Sequence, residues 1–229
     1  MPGYIMHLAT AKMILEKNNI TDDAYVNLFL LGNIYPDVKQ GNDKKATHFW
    51  TDEMFLRFDR RPDVKRFKEK YSARFNEPFI YGYFCHLYLD AMYMERYWDK
   101  HFSFYDESMN KTVGYNDVKY IKVVDKGQTY SRSEFFSSKY YYGDYDRMNA
   151  YFVNKYKIIS PHVYGACYED VSEALRSMDE VYFDDACDVL DSMINKIQSL
   201  KQEYVSTTIL DLKEIEELIE NVSSELSFY

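Results

Sequence analysis

Apolar residues recur along most of this chain at the 3.6-residue spacing of buried helix faces. The first such stretch begins near Ile5 and ends at the pair Asn18–Asn19, and a second follows the capping sequence at residues 21–23. Gly32 and Pro36 are expected to end this second helix in a loop. Further helices are predicted, in chain order, over residues 47–58, shortly after Pro62, from Pro78 to about Phe102, and over residues 133–156, 168–204 and 210–226.

One segment departs from the helical spacing. Between residues 105 and 132, Gly, Asn and Asp residues flank the sequence VKYIKVV, whose β-branched residues predict a strand or a hairpin. Breaks are also expected near Gly143 and near Val181 within the later helices. Because no internal repeat and no linker rich in Gly, Ser or Pro interrupts the pattern, residues 1–229 are predicted to form one all-α domain of many helices. A small irregular or hairpin insertion near residues 105–132 is the predicted exception.

Composition and charge limit the kinds of protein that this sequence can represent. A chain of 229 residues can bury a core without disulfide staples, and its Cys residues at positions 85, 167 and 187 form no CxxC pair. The formal net charge of −9 predicts no stable complex with nucleic acid, since phosphate repels an acidic surface. The amino terminus lacks the basic and apolar regions of a signal peptide, and no apolar run is long enough to span a bilayer. We therefore expect a cytoplasmic protein with no transmembrane segment.

The apolar segment from Tyr81 to Trp98 carries His86 and Asp90, four positions apart. Side chains at this spacing point to the same side of a helix, so an imidazole and a carboxylate here could bind one metal ion. An Asp on an apolar stripe is costly without a cation, a metal or hydrogen-bond donors. A buried His, by contrast, is often only a hydrogen-bonded core residue, so His86 alone leaves both interpretations open.

Two residues upstream could complete a set of four nitrogen and oxygen ligands. Asp37 follows Pro36 in the predicted loop, and His48 lies at the start of the next predicted helix. Such a set suits Zn²⁺, and Fe²⁺ or Mn²⁺ would also be compatible with it. Each residue also has an interpretation in which it binds no metal. Asp37 could cap the turn after Pro36, as Asp commonly does, and His48 could merely occupy a helix start.

These residues occur in an order that resembles the zinc-dependent phospholipase C family, whose superfamily includes the fungal single-strand nucleases. The family pattern is an early His, a Gly-x-x-x-Pro-Asp element, an isolated His and then His-x-x-x-Asp within a long helix. The resemblance covers roughly the first hundred residues and implies an α-helical fold with zinc bound by His and Asp side chains. It implies one ion on Asp37, His48, His86 and Asp90, and a second ion held by His7 and a bridging Asp90.

The chain departs from the family pattern where a third ion would bind. The family has a His shortly after His-x-x-x-Asp and a later His-x-x-x-Glu, whereas this chain has Met94 and Glu95 in the first of these regions. His162 is followed four residues later by Ala166 rather than by Glu. The resemblance therefore implies one zinc ion, or two, and not a cluster of three.

The residues and the resemblance together predict a metal-dependent hydrolase that acts on a phosphoester or phosphodiester through a metal-activated water. The candidate carboxylates to orient this water are Glu95 and Asp146, although Glu95 could be only a solvated acid and Asp146 part of a polar helix face. The resemblance implies a small-molecule, lipid or nucleotide phosphoester as the substrate. The alternative is a non-catalytic helical protein that retains a structural or vestigial metal site, and the missing third-ion ligands favour it.

Overall fold

The computed structural model describes residues 2–39, 44–181, 183–199 and 206–226. Most of this part of the chain is helical, which confirms the predicted all-α architecture. The helices are, in chain order, α1 (Tyr4–Lys17), α2 (Asp23–Ile34), α3 (Lys44–Thr47), α4 (Asp52–Phe55), α5 (Val64–Lys70), α6 (Pro78–Tyr93), α7 (Asp99–His101), α8 (Arg132–Phe135), α9 (Tyr141–Lys155), α10 (Tyr168–Arg176), α11 (Phe183–Ser199) and α12 (Leu212–Glu225). Shorter 3₁₀ turns lie at Tyr35–Val38 and Ser72–Arg74, and a π-helical turn at Met94–Trp98 joins α6 to α7.

Helices α2 and α6 cross so closely that each places a glycine against the backbone of the other. A Cβ atom on Gly32 would lie 2.1 Å from the carbonyl oxygen of Phe79, and one on Gly82 would lie 2.1 Å from that of Phe29. Only glycine permits such an approach. The prediction that Gly32 ends the second helix is therefore wrong, because α2 continues through it to Ile34. The crossing brings the carboxyl end of α2 beside the middle of α6.

Helix α1 completes the centre of the fold by packing against α2, α9 and α12. Its buried face includes Ile5, Leu8 and Ile14, as the apolar spacing predicts. The predicted core stripe of the last helix is also buried, with Ile215 and Ile219 fully enclosed on α12. None of the described helices combines the length and the apolar character needed to cross a bilayer.

The segment that leads into α12 is held by a buried carboxylate. Asp144 on α9 accepts hydrogen bonds from the backbone amides of residues 208–210 at 2.6–2.8 Å, and Arg147 donates another at 2.5 Å. These donors satisfy a charge that is 0% exposed, which would otherwise be costly to bury. Asp146, two residues later on the same helix, is exposed.

The predicted insertion is a small antiparallel sheet in the order β1-β2-β3. Its strands are β1 (Phe102–Tyr105), β2 (Tyr120–Val123) and β3 (Gln128–Ser131), with Phe102 opposite Val123 and Tyr120 opposite Ser131. Strand β2 lies within the VKYIKVV sequence, so the predicted strand is confirmed. The ring of Trp98 packs on this sheet, with its centroid 4.7 Å from that of Phe102.

The predicted helix over residues 47–58 is wrong. Helix α3 ends at Thr47, and α4 begins only at Asp52. Between them Phe49 has a φ of +55°, the left-handed conformation that often follows a helix end. Apolar spacing does not reveal this turn, because Phe49 is itself buried and apolar. His48 therefore lies directly after a short helix and not at the start of a longer one.

The break predicted near Gly143 lies elsewhere. Helix α9 runs through Gly143, and the interruption falls at residues 136–140, where Tyr140 leaves the helical conformation with a ψ of −107°. The interruption predicted near Val181 is confirmed between α10 and α11. The predicted end of that second helix at residue 204 lies outside the described residues.

Substitution at the helix crossing tests its tightness. Gly32→Ala and Gly82→Ala are each expected to lower the free energy of unfolding by about 1–3 kcal/mol, because the added methyl group must push two backbones apart. Gly3→Ala is a control, since its Cβ would make only an ordinary contact, 3.4 Å from the Tyr145 ring, and should cost less than about 1 kcal/mol. Urea denaturation measures the effects. At an ordinary exposed helix position, replacing Gly by Ala stabilises the protein. A Gly32→Ala protein more stable than the wild type would therefore contradict the close approach of α2 and α6.

The two acids of α9 provide a second stability test. Asp144→Asn is expected to lower the free energy of unfolding by about 1.5–3 kcal/mol, because it weakens charge-assisted hydrogen bonds to the segment before α12. Asp146→Asn, made on the exposed side of the helix, should change stability by less than about 0.5 kcal/mol. Thermal or urea denaturation that found equal effects for the two variants would refute the anchoring role of Asp144.

Candidate metal centre

The residues predicted as metal ligands lie together at the centre of the fold. His7 comes from α1, Asp37 from the 3₁₀ turn after α2, and His48 from the residue after α3, while His86 and Asp90 come from α6. The three imidazoles are 0% exposed, Asp90 is 1% exposed and Asp37 is 7% exposed. Four separate elements thus direct polar side chains into one buried volume.

The Asp90 carboxylate lies between the three imidazoles. Its Oδ1 atom is 3.4 Å from His7 Nε2, while its Oδ2 atom is 3.3 Å from His48 Nε2 and 3.7 Å from His86 Nε2. The second carboxylate of the centre also approaches two of these rings, since Asp37 Oδ1 is 3.6 Å from His48 Nε2 and 3.8 Å from His86 Nε2. Ligand atoms bound tetrahedrally to one zinc ion, with bonds near 2.0–2.1 Å, are separated by about 3.3 Å. These separations are therefore close to those of ligands that share an ion.

The ligand atoms fall into two overlapping groups. His7, His86 and Asp90 form one, and Asp37, His48 and His86 form the other, with every ligand atom of a group within 4.8 Å of its fellows. The two oxygens of Asp90 face different histidines, Oδ1 towards His7 and Oδ2 towards His48 and His86.

Hydrogen bonding at the centre is incomplete within the part of the chain that the structure describes. Neither carboxylate oxygen of Asp90 and neither ring nitrogen of His7 makes a hydrogen bond there, although all four atoms are buried. Burying an ionised carboxylate without donors costs several kcal/mol, by order of magnitude. The donor set of imidazole nitrogens and carboxylate oxygens is one that Zn²⁺ accepts, so the residues present fit such an ion.

Backbone and hydroxyl groups orient two of the imidazoles. His86 Nδ1 donates a 2.7 Å hydrogen bond to the Asn33 carbonyl oxygen at the end of α2, which leaves its Nε2 lone pair facing the carboxylates. Thr47 Oγ1 lies 3.1 Å from His48 Nδ1 and similarly turns the Nε2 atom of that ring inward. The rings of His7 and His86 stack at 3.6 Å with an interplanar angle of 10°. His86 is thus a hydrogen-bonded core histidine whose Nε2 atom faces the carboxylates and lies 3.4 Å from His48 Nε2.

The electrostatics of the centre favour the protonation states that metal binding requires. Burial lowers the pKa of the His86 imidazole to about 3 and also lowers that of His48, so both are neutral near pH 7. Burial opposes ionisation of Asp37, but Lys44 and the nearby imidazoles outweigh it and hold the pKa of Asp37 below its usual value. The pKa of Asp90 is likewise held well below its usual value, because His48 and His7 outweigh the effect of burial.

Lys44 connects the centre to the surface. Its ammonium group pairs with Asp37 Oδ1, and its side chain is 16% exposed. The same residue lines a cleft of about 930 Å³, together with Trp50 and Met94. A ligand in this cleft would therefore lie next to the cation that contacts Asp37. Met94 occupies the position where the sequence departs from the three-ion pattern.

The two predicted water-orienting carboxylates are both exposed, unlike the five buried side chains of the cluster. Glu95 is on the π-helical turn with its side chain 57% exposed, and it lies 3.6 Å from Arg61. Asp146 is exposed on α9. Among the described residues, no hydrogen bond or ion pair joins either of them to the five clustered side chains.

Several residues of the site were not predicted. Thr47 and Lys44 lie one and four positions before His48, and this proximity in sequence could have marked them as partners. The cleft residues Arg60 and Arg132 carried no such signal, because they are distant from each other and from the His and Asp motifs along the chain.

Comparison with known proteins places the chain in a family. A family model described as zinc dependent phospholipase C matches residues 1–207 of the 229. No curated protein and no solved structure matches the chain. Because the family match covers most of the sequence, the chain belongs to the zinc-dependent phospholipase C family. The resemblance first seen in the amino-terminal motifs is confirmed and extends beyond them.

Proposed function

We propose that this member of the zinc-dependent phospholipase C family hydrolyses a phosphoester at the buried centre around Asp90. The observation that carries the proposal is the Asp90 carboxylate itself, which is 1% exposed and lies 3.3–3.7 Å from three imidazole nitrogens. Its oxygens have no hydrogen-bond donor among the described residues. A divalent cation would compensate the two carboxylates of the centre, and family membership supports zinc.

Each clustered residue has a proposed role in holding the metal. Asp37, His48, His86 and Asp90 would bind one ion, and His7 with the second oxygen of Asp90 would bind another when two are present. The supporting geometry is the division of Asp90, whose Oδ1 faces His7 and whose Oδ2 faces His48 and His86. Zinc bound there would supply a lowered pKa for an attached water and polarisation of a phosphoryl oxygen.

The chain itself contributes charge and shape to the reaction. Lys44 lines the cleft and places a positive charge beside Asp37. This charge would attract the phosphate of a substrate and stabilise the negative charge that develops on that phosphate during the reaction. Trp50 closes the side of the cleft next to His48, with ring centroids 5.1 Å apart, and limits access of water to that imidazole. Asp37 holds the Lys44 ammonium in place.

A non-catalytic protein with a structural ion is the second candidate. Its supporting observation is Met94, a buried apolar side chain in the region where the family has a further His. The cleft beside Lys44 favours catalysis, because a purely structural ion does not require an adjoining cavity. Turnover of phosphodiester and phosphomonoester substrates, with and without a chelator, separates the two. Unfolding on chelation without any prior turnover would support the structural role.

Metal content tests the ligand assignment. Purified protein is expected to carry about one to two equivalents of zinc, and His86→Ala or Asp90→Ala should release most of it, because each removes a ligand from a small set. His162→Ala is the matched control, since His162 is exposed on a loop and should leave the metal content unchanged. Elemental analysis by mass spectrometry gives the stoichiometry. A zinc-free wild-type protein, or variants that retain zinc fully, would overturn the assignment.

A comparison of variants at Lys44 and at its sequence neighbour Lys45 tests the proposed role of Lys44. Lys44→Met is expected to lower kcat/KM for bis(p-nitrophenyl) phosphate by about 10–100-fold, because it removes a positive charge beside the reacting phosphate. Lys45→Met removes a half-buried lysine that pairs with Asp52 on the surface, and it should change kcat/KM by less than about twofold. Zinc content is measured in both variants, so that a loss of metal is not mistaken for a loss of catalysis. Equal activities for the two variants would remove Lys44 from the proposed mechanism.

A further inference from the structure

Two arginines line the cleft and rest on the same aromatic ring. The guanidinium carbon of Arg60 lies 4.3 Å from the ring centroid of Tyr115, and that of Arg132 lies 4.5 Å from it. Arg60 also lies over Trp50, at 4.5 Å from the ring centroid. Stacking of this kind restricts the guanidinium groups before any ligand binds. The two cations therefore form a positioned pair in the cleft wall.

Among the residues that the structure describes, these two arginines have no carboxylate partner, unlike several other arginines of the chain. Arg60 donates to the carbonyl oxygen of Phe55 at 3.4 Å, and Arg132 donates to that of Tyr115 at 2.6 Å. Within the described ranges, neither lies within 4.0 Å of a carboxylate, although the chain contains 37 Asp and Glu residues. Arginines paired with an acid are Arg57, Arg61, Arg74, Arg96 and Arg147. In the described part of this acidic protein, two partly buried cations thus have no carboxylate within ion-pair distance.

The rest of the cleft wall is also poor in negative charge. Lys44 and Lys119 line it, and Glu107 is the single acidic lining residue among those that the structure describes. The cleft is therefore a basic surface on a protein of net charge −9. A cleft of this kind concentrates anions.

The arginine pair and the metal centre share a neighbour in Trp50. The centroid of its ring is 4.5 Å from the guanidinium carbon of Arg60 and 5.1 Å from the ring centroid of His48. Lys44, at the inner end, and Arg132 line the same cavity of about 930 Å³. One molecule could present one anionic group to Lys44 and another to the arginines.

We propose that Arg60 and Arg132 bind a second phosphate of the substrate, separate from the phosphoester that is cleaved. Guanidinium groups match phosphate oxygens in a bidentate geometry, and two of them held on one ring suit a dianion. Preferred substrates would then be phosphoesters that carry a further phosphate, either as small soluble esters or as phosphorylated lipid head groups. This inference rests on the proposed function for its position near the reacting phosphate, although the anion site itself needs no metal.

Protection from chemical modification tests the anion site in the intact protein. Inorganic phosphate at saturation is expected to slow the reaction of phenylglyoxal with Arg60 and Arg132 at least fivefold, measured by peptide mass spectrometry, while exposed Arg66 reacts at an unchanged rate. The experiment is repeated after zinc removal by a chelator. Protection that persists shows an anion site independent of the metal, so it would stand even if the proposed hydrolase activity failed. No protection of either arginine in either state would overturn the inference.

Kinetics with a matched pair of esters tests the link to the substrate. A 3′-phosphate on thymidine 5′-p-nitrophenyl phosphate is expected to raise kcat/KM at least tenfold, mainly through KM. This gain should vanish in the Arg60→Gln/Arg132→Gln double variant and persist in the Arg66→Gln control. Hydrolysis of both esters with no gain from the second phosphate would leave the hydrolase proposal intact and refute this one.

Vesicles distinguish the two sources of the second phosphate. Phosphatidylcholine vesicles with and without phosphatidylinositol 4-phosphate are compared for sedimentation with the wild-type protein and the double variant. Arginine-dependent binding to the phosphorylated vesicles would support a lipid head group, whereas a kinetic gain without vesicle binding would support a soluble ester. Binding that the double variant retains in full, together with no kinetic gain, would overturn the proposal in both forms.

Discussion

Two carboxylates and three imidazoles share one buried volume, and the surrounding structure is organised around the charge that they carry. Asp37 and Asp90 are held in the ionised form, while burial keeps His48 and His86 neutral. Lys44 offsets part of this negative charge from the side of the cleft. Burying such a cluster in a core of aromatic and aliphatic residues is unfavourable unless a cation completes it. Zinc, as the family membership suggests, would supply the charge and the coordination that the described residues do not.

The close crossing of α2 and α6 makes this cluster geometrically precise. Because Gly32 and Gly82 let the helices approach within backbone contact, the carbonyl of Asn33 reaches His86 Nδ1. The following 3₁₀ turn then carries Asp37 over the same face of α6. A larger residue at either glycine would push α2 and the turn that carries Asp37 away from His86 and Asp90 on α6. The close packing of these two helices therefore determines the positions of the side chains that are proposed to bind the metal.

The amino-acid sequence predicted most of the helices and the members of the candidate site, and the reasons are local. The spacing of His86 and Asp90 fixes their common direction on α6, and the order of the motifs indicated the family. What it could not show were features set by contacts between distant segments. Gly32 looked like a helix end because its partner Phe79 is remote in sequence, and the turn at Phe49 was hidden within an apolar run. The stacking of Arg60 and Arg132 on Tyr115 depends on the sheet insertion folding back over the cleft.

Diffraction from crystals of the zinc-loaded protein, with data collected on both sides of the zinc absorption edge, shows directly whether the five clustered side chains bind a metal. The proposed ligand set predicts an anomalous peak within about 2.0–2.2 Å of Asp37 Oδ1, His48 Nε2, His86 Nε2 and one Asp90 oxygen. When a second ion is present, the other Asp90 oxygen and His7 should lie at similar distances from it. Crystals that contain zinc elsewhere, with no anomalous density between Asp37, Asp90 and the three imidazoles, would show that this cluster is not a zinc site.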